Sequence, residues 1–241
     1  MNQSEDNVFF RKINVEKLLR PLNEVERKFA PSYLYVAGDV SIAKMSPRVS
    51  IIGSRHPSEE GLKNTEILVK HLLKLNTVIV SGLALGIDTI AHKTAINNGG
   101  KTIAVLGTPL NECYPKENYS LQKEIMKNHL AISQFSPGYS IRRENFPIRN
   151  RVMALISDAS IIVEAGETSG SLSQGWEALR LGRQLFILDT ILKNKELKWP
   201  YKMVSYGART ISLKNGTKKR LFEALPPSGP EGVDVGVAIY S

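Results

Sequence analysis

The segment Gly53–Ser58 brings together residue types that bind phosphate. It contains Gly53, the Ser54 hydroxyl, the Arg55 guanidinium and Ser58 as a candidate helix cap. Free N–H groups at the start of a helix attract anions, and an arginine can hold a phosphate through two hydrogen bonds. The spacing matches neither the dinucleotide-binding glycine pattern nor a Walker loop. We therefore predict an anion-binding loop, with an ordinary turn and serine cap as the open alternative.

Three other segments share this glycine- and serine-rich character. Ser81 and Gly82 stand in one, Gly107 in the second, and Gly170 with Ser171 in the third. Each follows a short apolar run, so all are expected at the carboxyl edge of one sheet, where ligands bind in folds of this kind. Glycine-rich turns are common at that edge, and four ordinary turns remain the alternative.

Asp88 and His92 stand four residues apart, which places them on one face of a predicted helix. Such a pair can hold a metal ion or form structural hydrogen bonds. The four histidines of the chain are scattered and form no recognisable ligand set. We therefore favour hydrogen bonding, and we expect neither a metal nor another cofactor.

The strongest charge feature of the chain is a cluster of arginines around one aromatic residue. Arg142, Arg143, Arg149 and Arg151 surround Phe146 in the sequence. Arginine suits two-pronged phosphate contacts, and an aromatic ring suits base stacking. The cluster therefore predicts a nucleic-acid contact, and a solvated loop with salt bridges is the alternative.

Within this cluster, Arg149 and Arg151 are two positions apart, so on a helix they would point about 200° apart. One is expected to face the ligand, while the other ties the helix to the core or to a carboxylate such as Glu164. Arg149 is the predicted contact because it lies nearer the start of the helix and nearer Arg142 and Arg143.

The composition limits the class of protein. The chain has 241 residues, with 32 lysines and arginines against 23 aspartates and glutamates, a formal net charge of +9. This surplus favours a polyanionic partner such as nucleic acid. No apolar run approaches the roughly 20 residues of a membrane span, and no secretory signal is visible, so we expect a cytoplasmic protein without membrane contact. The single cysteine, Cys113, excludes an intramolecular disulfide.

Short apolar runs alternate with helical patterns through the middle of the chain. This rhythm predicts an α/β, Rossmann-like, doubly wound domain, with a mostly parallel sheet and helices on both faces. The predicted strands are Tyr33–Val36, Val49–Ile52, Thr77–Val80, Thr102–Leu106, Leu130–Ile132, Ser160–Val163 and Leu185–Leu188. The predicted helices begin at Ser58 and near Gly86, cover Glu117–Asn128 and Phe146–Ser157, and begin again at Gly170.

The chain divides into three predicted parts. Residues 1–30 form an N-terminal helical extension, because apolar residues recur near helical spacing over Val15–Phe29. Residues 31–213 form the Rossmann-like core. Residues 214–241 form a basic segment, with Lys218–Arg220, and a flexible tail rich in proline and glycine.

A series of short motifs runs in order along the predicted core. They are PSYLYVAGD from Pro31, GSRHPSEEG from Gly53, SGLALGIDTIAH from Ser81, TIAVLGT from Thr102, YPKEN from Tyr114, FPIRNRVMA from Phe146 and VEAGETSGSL from Val163. Together they resemble the core of the DNA-processing protein A (DprA/Smf) family. The likeness covers roughly Pro31 to Arg209, and the ordered series is far more specific than any single loop.

The resemblance implies a core that binds single-stranded DNA and passes the strand to a RecA-like recombinase during transformation. By position it assigns Gly53, Ser54, Arg55 and Ser58 to the family's DNA-phosphate loop, Arg149 and Arg151 to its RNR segment, and Gly170 and Ser171 to its GSL loop. An effector or toxin protein in a phage-defence system is the alternative partner. The family also self-associates, so we expect a homodimer, with Leu185–Leu188 and Met203–Val204 as exposed apolar positions.

Two other functions stay open. The first is a nucleotide-signal sensor or the regulatory subunit of an effector. The second is a phosphoribohydrolase of the LOG type, which splits nucleoside monophosphates with a motif glutamate. Gln174 occupies that position here, and a neutral amide cannot act as a general base, although Glu164 and Glu177 lie nearby. We therefore predict a binding protein and not an enzyme.

Overall fold

The computed structural model describes residues 10–213. Residues 1–9 of the predicted extension, and the predicted basic segment and tail at 214–241, lie outside the described residues. The strands are β1 (Arg11–Asn14), β2 (Tyr33–Gly38), β3 (Arg48–Gly53), β4 (Val78–Ser81), β5 (Thr102–Leu106), β6 (Leu130–Ser133), β7 (Ala159–Glu164), β8 (Gln184–Leu188) and β9 (Arg209–Ile211). The α-helices are α1 (Val15–Leu18), α2 (Glu24–Arg27), α3 (Glu59–Leu73), α4 (Ile87–Asn97), α5 (Tyr119–Asn128), α6 (Asn145–Ile156), α7 (Ser171–Arg180) and α8 (Trp199–Ser205).

All the described strands form one sheet in the order β1-β2-β6-β5-β4-β3-β7-β8-β9. The seven strands from β6 to β9 in that order run parallel, whereas β1 and β2 pair antiparallel at one side. The central strands are buried along their length, which explains their continuous apolar runs. The predicted Rossmann-like, mostly parallel sheet is confirmed.

Helices cover both faces of the sheet. On one face, α3, α4 and α5 bury side chains such as Leu68, Ala91 and Ile125 against the strands. On the other face, α6 and α8 bury side chains such as Val152 and Met203, and α7 packs alongside them. No helix among the described residues is long and apolar enough to cross a membrane.

The chain adds strands to the sheet on both sides of β3, so the order of strands reverses there. From β3 the chain adds β4, β5 and β6 on one side, whereas β7, β8 and β9 extend the sheet on the other side. The loops that follow β3 and β7 therefore leave the sheet in different directions. In open α/β sheets a crevice forms at such a switch point, at the carboxyl ends of the strands.

The opposite, amino edge of the sheet is held by paired charges. The Glu26 side chain is fully buried and binds Arg20, at 2.6 Å, and Arg183. Asp158, just before β7, accepts a hydrogen bond from Arg48 at the start of β3 at 3.0 Å. These pairs join the N-terminal segment and three strand starts.

The N-terminal segment contains two short helices, α1 and α2, which are separate because Pro21 interrupts the helical pattern and Asn23 caps a new start. The expectation that Leu185–Leu188 is exposed is wrong, because these side chains pack into the cores on the two faces of the sheet. Met203 is buried as well, and of the named apolar positions only Val204, 41% exposed, faces solvent.

Candidate nucleic-acid interface

A cleft of about 590 Å³ opens at the switch point between β3 and β7. Its walls come from the loops after these two strands and from the start of α6. The lining includes Gly53, Ser54, Arg55, Asp88, Phe146, Arg149, Asn150, Gly166, Thr168, Ser169, Gly170, Ser171 and Ser173. The surface that a ligand would meet therefore combines hydroxyl groups, backbone and one exposed guanidinium with apolar side chains such as Pro147 and Met153.

The loop after β3 is braced by the end of β7. The Ser54 N–H donates to the Glu164 carbonyl at 2.7 Å, and the Ser58 N–H and hydroxyl donate to the Glu164 carboxylate at 2.9 and 2.5 Å. Ser58 caps α3 as predicted, because its hydroxyl oxygen accepts from the Gly61 N–H. The carboxylate thus occupies the start of α3, and Ser58 does not line the cleft.

Arg55 and Phe146 form one wall of the cleft. Arg55 is exposed, and its guanidinium lies 5.7 Å from the centre of the Phe146 ring. Tyr114 packs against the Phe146 ring, with the two ring centres 5.6 Å apart. A Cβ at Gly107 would lie 2.7 Å from the Phe146 ring, so this glycine provides the space that the ring occupies. The absence of a side chain at Gly107 therefore allows the Phe146 ring to take its place in the cleft wall.

Arg149 lies in the floor of the cleft and is only 6% exposed. Its guanidinium donates to the carbonyl of Gly82, after β4, and to that of Val105, in β5, at 2.8 Å for the second bond. Burial lowers the pKa of Arg149, and the charge of Asp88 opposes that shift. A Cβ at Gly82 would overlap the guanidinium. Arg149 therefore ties α6 across two strands.

Asp88 and His92 make separate hydrogen bonds, as the structural interpretation expects. Asp88 accepts from the N–H groups of Gly82, at 3.1 Å, and Ala84, at 3.3 Å, and its burial raises its pKa. His92 pairs with Thr102 at 2.7 Å, and burial lowers the pKa of His92 to about 3. No cluster of potential metal ligands occurs within residues 10–213.

The start of α7 is the open helix terminus in the cleft. Gly170 stands at its N-cap without a side-chain cap, and nothing lies within 4 Å of a Cβ built there. Asn150 of α6 donates to the Gly170 carbonyl at 3.2 Å and to the Ser173 hydroxyl at 2.6 Å. The N–H groups at this terminus, beside Ser171, favour an anion. Asn150 positions that terminus.

Gln174 lies outside the cleft. It is fully buried, and its amide nitrogen donates to the hydroxyls of Ser50 at 2.8 Å and Ser160 at 2.9 Å. The position at which a LOG-type hydrolase carries its glutamate therefore faces the sheet in this chain. The arrangement offers no general base there.

The predicted site residues separate into two sets. Those that line the cleft are Gly53, Ser54, Arg55, Phe146, Arg149, Gly170 and Ser171. Those that do not are Ser58, Ser81, Gly82, Gly107, Arg142, Arg143 and Arg151. Gly82 lines a smaller adjoining pocket, and the Ser81 hydroxyl donates to the Ile51 carbonyl.

The remaining arginines of the cluster are exposed. Arg142 and Arg143 lie just before α6 and form no ion pair with any described residue. Arg151 pairs with Glu177, with 3.3 Å between the guanidinium and the carboxylate. One arginine was expected to tie the helix to the core or to a carboxylate such as Glu164, and Arg149 makes the tie to the core. Glu164 pairs with no arginine among the described residues, because the start of α3 engages it.

Sequence reasoning missed several cleft residues. Asn150, Thr168 and Ser173 line the cleft without having been singled out as ligand contacts. Two of them stand within a few positions of the predicted Gly170–Ser171 loop, so the density of small hydroxyl residues around that loop was a usable signal. Asn150 gave no such signal, because only the packing of α6 on α7 shows where its amide points.

Comparisons with known proteins agree with this geometry. A family model described as DNA recombination-mediator protein A matches residues 16–221. The DNA processing protein DprA of Streptococcus pneumoniae is 39% identical over 183 residues, which are 76% of this chain and 64% of that protein. The Bacillus subtilis DprA is 33% identical over 196 residues, 81% of this chain and 65% of that protein. The chain thus spans just under two thirds of the length of these relatives.

Solved structures of DNA processing protein A also resemble this chain. DNA processing protein A of S. pneumoniae has a TM-score of 0.77 at 33% identity, over 90% of this chain and 75% of that one. The Helicobacter pylori protein, described for its single-stranded DNA binding mode, has a TM-score of 0.77 at 28% identity, over 90% and 98% of the two chains. The molybdenum cofactor carrier protein of Chlamydomonas reinhardtii, 17% identical with a TM-score of 0.53, shares the fold.

Proposed function

Because this chain belongs to the DNA recombination-mediator protein A family, we propose that its Rossmann-like core binds single-stranded DNA in the cleft at the switch point. The observation that carries the proposal is that the wall formed by Arg55 and Phe146 and the open start of α7 line the same cleft. An exposed guanidinium and a helix terminus suit two phosphates, and the aromatic ring suits a base.

The cleft residues take different parts in this proposal. Arg55, Gly170 and Ser171 contact phosphate, and Phe146 stacks on a base. Arg149 is too buried to reach far into the cleft, so its part is to hold the loop after β4 and the start of α6 in place. Arg142 and Arg143 are exposed next to the start of α6, and they extend the positive surface along the path of the bound DNA strand.

The same proposal covers the biological role. As the family resemblance implies, we propose that this protein hands the bound strand to a recombinase of the RecA type in the cytoplasm. An effector or toxin protein is the alternative partner. The burial of Gln174 against Ser50 and Ser160 supports a binding function over a LOG-type hydrolase, because that position holds a neutral amide and faces away from the cleft.

The test is a salt titration of binding to oligo(dT), duplex DNA and free nucleotides. We expect tight, salt-sensitive binding to oligo(dT). Arg55→Ala should weaken it several-fold and reduce the slope of log affinity against log salt by about 0.7, the value for one lost phosphate contact. Selective binding of a mononucleotide would favour the nucleotide-sensor alternative, and release of free base would favour the hydrolase.

We also propose a homodimer. The exposed apolar side chains around α8, namely Tyr201 (54% exposed), Val204 (41%) and Tyr206 (67%), replace the buried Leu185–Leu188 as candidates for the interface. Two-fold dimers are the commonest assembly of this kind. Sedimentation velocity at tens of micromolar protein tests the proposal, and a strict monomer there contradicts it.

A further inference from the structure

A second cationic and aromatic surface lies away from the cleft wall. Phe29, after α2, is 47% exposed. Arg180 of α7 stands 4.5 Å from the centre of its ring, Lys28 stands 5.6 Å away and Arg151 of α6 stands 6.0 Å away. We call Lys28, Phe29, Arg151, Glu177 and Arg180 the Phe29 patch.

One carboxylate organises the two arginines of the Phe29 patch. Glu177 accepts from the Nε of Arg151 at 3.3 Å and from the Nε of Arg180 at 2.7 Å. The Nη groups of both guanidiniums make no hydrogen bond within residues 10–213. One carboxylate thus fixes both guanidiniums through Nε and leaves their Nη groups available, with three cations against one carboxylate in the patch.

The Phe29 patch continues the cleft along two helices. Pro147 and Ser173 line the cleft. Arg151 follows Pro147, and Glu177 follows Ser173, by one helical turn each, so each pair shares a face about 6 Å apart along the axis. Asn150 joins the two helices at this level through Ser173. A strand that leaves the cleft between α6 and α7 therefore meets the patch next.

We propose that the Phe29 patch is a second contact for single-stranded DNA, which extends the binding path beyond the cleft. This inference rests on the proposed function. The Nη groups of Arg151 and Arg180 hold a phosphate, while Phe29 and the Arg180 guanidinium offer flat surfaces on which a base stacks. The positive balance selects a polyanion, and the aromatic ring selects one that carries bases.

The experiment compares short and long ligands. The affinities of the full chain for oligo(dT) of about six nucleotides, enough for the cleft, and about twenty nucleotides, enough for both surfaces, are measured by fluorescence anisotropy. Phe29→Leu keeps an apolar side chain but removes the ring, and Arg180→Lys keeps the charge but removes the planar group. Val25→Ala, at an apolar position 53% exposed on α2, is the matched control.

We expect Phe29→Leu to weaken binding of the long oligonucleotide about fivefold and to leave the short one unchanged. Arg180→Lys should act in the same direction, and Val25→Ala should have no effect. Long-oligonucleotide affinity equal to wild type in both patch variants overturns the second contact, as does an equal loss at both lengths.

Two further outcomes separate this inference from the rest. Failure of the wild type to bind either length overturns the proposed function itself, whatever the patch variants do. Polyglutamate of similar length serves as a polyanion without bases. If it binds as tightly as the long oligonucleotide, and the binding weakens in Phe29→Leu, the occupant of the patch is an acidic protein segment and the DNA contact is overturned.

Discussion

The two edges of the central sheet use arginine in different ways. At the amino edge, Arg20 and Arg183 share the fully buried carboxylate of Glu26, and Arg48 pairs with Asp158. Each of these guanidiniums is matched by an acid. The pairs connect the N-terminal segment to the starts of β3, β7 and β8, so they stabilise the fold.

At the carboxyl edge the arginines are left without acids. Arg55, Arg142 and Arg143 are exposed and form no ion pair with a described residue. The carboxylate of Glu164, at the end of β7, is engaged by Ser58. Unpaired charges at the rim of a cleft raise the local positive potential and cost little stability, because water solvates them. These unpaired charges support the ligand site proposed at this edge.

Arg149 belongs to the carboxyl edge by position but behaves like the arginines of the amino edge. It is buried, and the carbonyls of Gly82 and Val105 accept its hydrogen bonds in place of an acid. Position along the strand is thus a poor guide to the role of an arginine. Its partner and its exposure decide whether it serves the fold or the ligand.

The comparison predicts the largest change in stability at Glu26. Glu26→Gln leaves Arg20 and Arg183 without their shared carboxylate in a buried setting. We expect the free energy of unfolding to fall by about 3–5 kcal/mol, measured by urea denaturation. Glu24→Gln, an exposed position on the same helix, is the control and should stay within about 0.5 kcal/mol of wild type. Equal losses of unfolding free energy in the two variants would show that the amino-edge ion pairs stabilise the fold no more than an exposed carboxylate does.

The pH dependence of the unfolding free energy provides a second test of Glu26. Burial by itself raises the pKa of Glu26, but the hydrogen bonds from Arg20 and the Asn23 backbone and the charge of Arg183 outweigh it, so the pKa lies below its ordinary value. Folding therefore gains stability from this group above the unfolded pKa and loses it as the pH falls through the folded one. The difference between wild type and Glu26→Gln should shrink as the pH is lowered from 7 to about 3.

The next effect in size concerns the buried arginine of the cleft floor. In Gly82→Ala the new methyl group collides with the Arg149 guanidinium, so the side chain must shift and lose its carbonyl partners. We expect a loss of about 1–3 kcal/mol in unfolding free energy. Gly166→Ala is the matched control, because nothing lies within 4 Å of a Cβ there. Equal stability of the two variants would mean that Arg149 does not brace the strands.

The fold was largely predictable from the sequence, because six of its strands are buried apolar runs separated by helices. The short edge strands β1 and β9 and helix α8 were missed, since their few residues carry no clear period. The cleft edge was predictable as well, from the glycine and serine loops. The burial of Arg149 was not, because it depends on how α6 crosses the sheet. Nor was the bond of Ser58 to Glu164, which joins residues 106 positions apart.

The smallest expected effect lies at the unpaired arginines before α6. Arg142→Gln and Arg143→Gln remove charge from side chains that contact no acid, so the unfolding free energy should change by less than about 0.5 kcal/mol. If each arginine neutralises one phosphate, the slope of log affinity for oligo(dT) against log salt should fall by about 0.7 in each single variant. The double variant should show about twice that change, because independent phosphate contacts add.

Arg27→Gln is the control, because the exposed Arg27 guanidinium pairs with Glu16 at 2.9 Å and lies outside the cleft. This variant should keep the wild-type salt slope. If Arg142→Gln and Arg143→Gln destabilise the protein while the salt slope stays at its wild-type value, these arginines serve the fold as those of the amino edge do, and the contrast between the two edges is lost.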